Sequence, residues 1–240
     1  MKSGRFSIMT NISKGYEYTW YRSIKCKLCG ELIPIFSLGH YKNVAAGTDE
    51  FSKNLMNFYL YGNDKVTLYF LNGLRATYKE WFEPDKFMFD YICVIPSHTK
   101  NEVNVQLEQL AKSFGNAIGV EYKLLLVRNR DVLKQHEINT VQKRLENVNG
   151  SINVNYDING KSVLVLDNIT TTGVTIMVAH DALKVAGAKE VIFFTLGLSS
   201  RFGIYKDFDL NPNINFRARV VIEKFHYNKL TKEERDKHRL

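Results

Sequence analysis

The segment Val163 to Thr175, VLVLDNITTTGVT, constrains the fold more than any other stretch of the chain. Ser162 to Asp167 is a short, nearly unbroken apolar run that stops on an acid, which predicts a buried strand. Val174, Val178, Ala182 and Val185 then recur at helical spacing until Gly187 ends the pattern. Between them lie three successive threonines and Gly173. A buried strand that passes through a short polar turn straight into a helix is half of a parallel βαβ unit.

The neighbouring sequence repeats this alternation. Tyr91 to Ile95, closed by Pro96, reads as a strand. Val103, Leu107, Leu110, Ala111, Phe114 and Ile118 share one helical face, and Gly119 stops it. Val120 to Val127 reads as a second strand and Lys189 to Gly197 as a later one, with a polar stretch of weak helical character over residues 129 to 149. Upstream, helices are expected over Lys53 to Tyr61 and Lys65 to Trp81, with Gly62-Asn63-Asp64 ending the first and capping the second. Residues 1 to 50 lack a sustained period and predict a small irregular N-terminal module, leaving residues 51 to 240 as the main domain. Thr231-Lys232-Glu233-Glu234 has the form of a capping box that opens a short charged helix.

No window approaches the roughly 20 apolar residues needed to span a bilayer, and no secretory leader is recognisable, so a cytoplasmic protein without membrane contact is expected. The formal charge of +8 favours polyanionic partners, either nucleic acid or a highly phosphorylated small molecule.

The turn after Asp167 carries the chemistry. Ligands of open α/β sheets bind outside the carboxyl ends of the strands. The turn exposes backbone N–H groups, a helix start adds about half a positive charge, and threonine hydroxyls add donors, so a phosphate suits it. A nucleotide P-loop would need a lysine that is absent, and a dinucleotide fingerprint would need two further glycines. The bland alternative is that Thr170 to Thr172 merely cap the helix.

The segment resembles the motif by which type I phosphoribosyltransferases bind 5-phosphoribosyl-1-pyrophosphate (PRPP), two acids after a strand followed by Thr-Thr-Gly-x-Thr. The chain is similar in particular to the competence-protein ComF family over residues 25 to 200. That finer likeness rests on Cys26-x-x-Cys29, the Phe51 to Tyr61 stretch, Val94-Ile95-Pro96, and the spacing Arg128, Gln135, Arg144, Asn147. The resemblance implies an α/β fold of phosphoribosyltransferase type, a mostly parallel sheet flanked by helices. It implies that Thr170, Thr171, Thr172, Gly173, Val174 and Thr175 hold the 5-phosphate and that Asp167 and Asn168 meet the ribose hydroxyls as catalytic residues. Pro96, Ser97 and His98 would bind pyrophosphate, helped by Mg2+, with Arg128, Arg130 and Arg144 as neutralising cations. The reaction would move a phosphoribosyl group onto a nitrogen of an unidentified, nucleobase-like acceptor. Asn168 stands where the family has its second acid, so a binding module without turnover is the competing reading. A homo-oligomer is also expected.

Cys26 and Cys29 have the spacing of half a zinc site, Gly30 permits its tight turn, and His40 is the candidate third ligand for a Zn2+ ion in a ribbon-like module. Cys93, inside a strand, reads as a core thiol. The basic stretch Met1 to Cys29 carries Tyr16, Tyr18, Trp20 and Tyr21, a mixture that suits contact with single-stranded nucleic acid.

Overall fold

The computed structural model describes residues 5–7, 18–42, 49–83 and 86–199. The Thr231 to Glu234 capping box and Tyr16 lie outside these residues.

Gly62 and Asn63 separate the first two helices as their chemistry requires. Helix α1 (Glu50–Tyr61) is capped by Asp49, which accepts from the Ser52 amide, and ends at Gly62 in the left-handed region with φ 57°. Asn63 then accepts from Val66 N and opens α2 (Asp64–Trp81). Both helices carry apolar stripes, with Leu55 and Phe58 on α1 and Phe70, Leu74 and Trp81 on α2 fully or nearly fully buried.

The remaining elements form one main sheet and a small ribbon. The first strands are β1 (Arg5–Ser7), β2 (Tyr18–Lys25), β3 (Leu32–Ser37) and β4 (His40–Tyr41). Strand β5 (Tyr91–Val94) leads to α3 (Val105–Ile118), which Asn104 caps and Gly119 ends, and then to β6 (Glu121–Tyr122). Strand β7 (Leu126–Arg128), helix α4 (Val141–Val148) and β8 (Ile152–Val154) follow. Strand β9 (Ser162–Thr170), α5 (Val174–Val185) and β10 (Glu190–Ser199) complete the described chain.

The sheet order is β1-β2-β3-β10-β9-β5-β6, with β4 also on β10. Five strands, β3, β10, β9, β5 and β6, run parallel, and β1 and β2 add an antiparallel edge. This is the expected α/β class with a mostly parallel sheet between helices. Alternate residues of each central strand enter opposite layers. Val163, Val165 and Phe193 pack with α5, while Leu164, Leu166 and Phe194 pack with α1, α2 and α3. Burial on both faces explains why β9 reads as an apolar run without alternation.

Two elements differ from the sequence reading. The run Val120 to Val127 divides between two sheets. Lys123 N donates to Ile92 O and Leu125 N to Lys123 O, and this turn carries the chain out of the main sheet, so that β7 pairs antiparallel with β8. Periodicity registers burial, which is unbroken here at Leu125 and Leu126, and is blind to a change of pairing partner. The described part of the first 50 residues is also more regular than expected. Strands β2 and β3 form a hairpin whose second arm, fully buried, pairs with β10.

Candidate functional site

Strands β5 and β9 are neighbours, yet the chain leaves them in opposite directions. From β5 it crosses through α3 to the edge strand β6, and from β9 it crosses through α5 to β10 on the other side. The divergence opens a crevice at their carboxyl ends, which is where open α/β sheets bind ligands. The crevice here has a volume of about 490 Å³. Ile95 to His98 form one wall, Asp167 to Ile176 the other, and Arg128, Gln135 and Arg144 close it from the side.

The β9 wall begins inside the strand. Asp167 pairs with Thr195, and the strand continues through Ile169 and Thr170 against Gly197 and Leu198, three residues further than the apolar run suggests. The Asp167 carboxylate accepts from Asn168 N at 2.8 Å, and Asn168 Oδ1 accepts from Ile169 N at 2.6 Å. Burial pushes the Asp167 carboxyl up to about 6, against the opposing pull of the Asn168 amide and the nearby Thr170 hydroxyl. Thr170 Oγ1 is itself buried and makes no hydrogen bond of good geometry.

Gly173 then turns the chain into α5 with φ 73°. No side chain caps this helix, unlike α1, α2, α3 and α4, where Asp49, Asn63, Asn104 and Thr140 do so. The threonines therefore do not serve as caps. The first N–H groups of α5 lack a capping side chain where Gly173 to Ile176 line the crevice, an arrangement suited to an anion. The space beside Gly173 is taken by the Ile24 side chain, so glycine is needed for the turn and the packing together.

The opposite wall is held by Arg128. Its buried guanidinium donates from Nε to Ser97 O at 2.9 Å, from one terminal nitrogen to Pro96 O, and from the other to Ser151 Oγ. These bonds use three of the five N–H groups of an arginine. Burial, with Arg130 nearby, lowers Arg128 to about 10. Its charge thus stands beside the crevice without a carboxylate partner among the described residues, and it also fixes the turn after β5. Arg144 is buried and donates to Ile138 O at 2.7 Å. Arg130 is exposed, bonded to Asn147 O and Asn149 O, and is not among the lining residues.

Gln135 lies in a short 3-10 turn (Gln135–Glu137), and both ends of its carboxamide are buried without a partner among the described residues. Asn147, the last residue of the spacing that begins at Arg128, clamps Leu133 through both its N–H and its C=O. Glu102, Asn104 and Tyr59 also line the crevice, and no local pattern in the sequence marks them.

At the CxxC pair the structure brings in a residue the sequence did not suggest. Cys29 Sγ lies 3.6 Å from His180 Nδ1 on α5, and Cys26, Cys29 and His180 form a compact group. His40 sits in β4 and is not part of it. Cys93 is fully buried in β5. No described helix is long and apolar enough to cross a membrane.

No family model and no curated protein matches the chain. Solved structures that the chain resembles include several phosphoribosyltransferases. Among those structures is a glutamine PRPP amidotransferase from B. subtilis, 20% identical over 59% of this chain and 30% of that one with a TM-score of 0.39. Another is adenine phosphoribosyltransferase from Saccharomyces cerevisiae, 12% identical over 78% and 88% of the two chains with a TM-score of 0.41. A third is a purine phosphoribosyltransferase from Pyrococcus horikoshii Ot3, 20% identical over 59% and 76% with a TM-score of 0.35. The chain thus spans less than a third of the amidotransferase. At these similarities the class of the fold rests on the strand order and pairing described above.

Proposed function

We propose that this crevice binds PRPP and that the chain is a phosphoribosyltransferase of ComF type. One observation carries the reading: the uncapped start of α5 and the arginine-braced turn after β5 face one crevice at the point where the strand connections diverge. The 5-phosphate is assigned to Thr170 to Thr175, the ribose hydroxyls to Asp167 and Asn168, and the pyrophosphate to Pro96, Ser97 and His98, with Arg128 and Arg144 beside it.

Transfer would proceed by attack of an acceptor nitrogen on the anomeric carbon as the bond to pyrophosphate breaks, through a cationic sugar. The chain's part is to hold the two ends of PRPP, to place negative charge below the sugar at Asp167, and to neutralise the departing group with fixed N–H donors and arginines. The crevice offers the Asp167 and Glu102 carboxylates, which suits Mg2+ only with substrate oxygens completing its shell. The ion would add charge neutralisation at pyrophosphate.

Asn168 supports a second reading, a PRPP-binding regulatory module without turnover, because an amide lacks the charge that would stabilise the cationic sugar. Calorimetric titration with PRPP and Mg2+, followed by a pyrophosphate-release assay over purine and pyrimidine bases, tests both. Binding with release supports the enzyme, and binding without release supports the module. Absence of binding removes both.

A further inference from the structure

We propose that Cys26, Cys29 and His180 form a site for a zinc-type divalent cation that fastens the β2–β3 hairpin to helix α5. The site does not depend on the reading of the crevice.

The turn between β2 and β3 already has the form of a metal knuckle. Gly30 N donates to Cys26 O at 2.9 Å, Cys26 N to Glu31 O at 2.7 Å, and Gly30 adopts φ 75°. The Cys29 amide points at Cys26 Sγ from 3.4 Å. Both sulfurs are thereby turned to the side on which α5 lies, where His180 is buried.

The distances suit the metal. Arms of about 2.3 Å to sulfur and 2.05 Å to nitrogen at the tetrahedral angle place a sulfur and a nitrogen about 3.6 Å apart. Cys29 Sγ and His180 Nδ1 are separated by 3.6 Å. All three ligand atoms lie within 4.8 Å of one another, so a small contraction around an ion completes the triangle. An acid stands near the second nitrogen of the ring. His180 Nε2 lies 3.8 Å from Glu31 Oε2, so an approach of a few tenths of an ångström would give the carboxylate–histidine–metal arrangement in which an outer acid orients the ring. Cys29 is exposed, and among the described residues no fourth side chain joins the group, so solvent takes the fourth position.

Such an ion would join segments about 150 residues apart in sequence. The consequence reaches the crevice, since the same hairpin presses Ile24 against Gly173 and the same helix begins at that glycine.

The test is titration of the metal-stripped, reduced full chain with Co2+, followed by displacement with Zn2+. One equivalent should bind and produce thiolate-to-cobalt charge-transfer absorption. Cys29→Ser and His180→Gln should each abolish or shift that absorption, with folding checked by circular dichroism, and Cys93→Ser should leave it intact. Glu31→Gln should keep the band and weaken the ion by about 10- to 100-fold. Loading should slow hydrogen exchange of the amides at residues 173 to 180. A flat titration of the wild-type chain overturns the site whatever the variants do, and a band unchanged by His180→Gln overturns the assignment of the third ligand.

Discussion

A β-carbon on Gly173 would sit 2.6 Å from Ile24 Cδ1, so the turn that opens α5 is closed against the β2–β3 hairpin. The proposed phosphate loop is therefore built by two parts of the chain that sequence separates widely. Gly173→Ala should destabilise the protein by about 2 kcal/mol, from an alanine forced to positive φ and from the contact with Ile24. Adding Ile24→Ala should remove the contact and keep the backbone strain. Urea unfolding of the single and double variants measures the two contributions.

Arg128 is a buried cation that bonds to Ser97 O, Ser151 Oγ and Pro96 O, with no ion pair to an acid among the described residues. Burial, with the Arg130 charge nearby, lowers it to about 10, a penalty on the order of 3 kcal/mol. Its three charge-assisted hydrogen bonds, at roughly 1.5 to 3 kcal/mol each, outweigh that penalty. Arg128→Met should thus lose about 2 to 4 kcal/mol in denaturant unfolding. Arg128→Lys should recover only part of it, since an ammonium cannot span Pro96, Ser97 and Ser151 together.

Asp167 sets up an opposition between stability and binding. Its folded value of about 6 lies above the ordinary 3.8, so the folded state holds the proton more tightly. Stability from this group is therefore present below pH 4 and is lost as pH rises through 6, to the extent of at most about 3 kcal/mol. Asp167→Asn should stabilise the chain by about 1 to 3 kcal/mol at pH 7.5, with the gain vanishing near pH 4. PRPP affinity should fall at the same time. Thermal unfolding across that pH range, alongside calorimetry, reads both effects.

Gln135 offers an independent check on the crevice. Its buried, unpartnered carboxamide costs stability unless a ligand satisfies it. Gln135→Met preserves the length and removes the orphaned polar atoms. The variant should gain about 1 kcal/mol in unfolding without ligand and bind PRPP about tenfold more weakly.

The parts of the fold legible in the sequence are those with a local cause. Gly62 with Asn63 stops one helix and starts another because a left-handed residue followed by an amide acceptor does so anywhere. The same holds for Gly119 after α3 and for the strand-turn-helix around Asp167. The division of Val120 to Val127 was not legible, since residues on both sides of the turn suit a strand and the change of pairing partner is made by the bonds from Lys123 N to Ile92 O and from Leu125 N to Lys123 O. His180 was equally hidden. It occupies an ordinary position on an apolar helix, and nothing local distinguishes it from a core histidine.

By itself, then, the sequence determined the elements and the turn suited to phosphate, because capping, period and backbone freedom act over a few residues. The tertiary structure alone decided which turns share the crevice, that Arg128 braces the one after β5, and that α5 brings His180 to Cys29. Those relationships join residues 31 and 151 positions apart. They are set by the order in which strands pair and by the layers their two faces bury, and no local window contains that information.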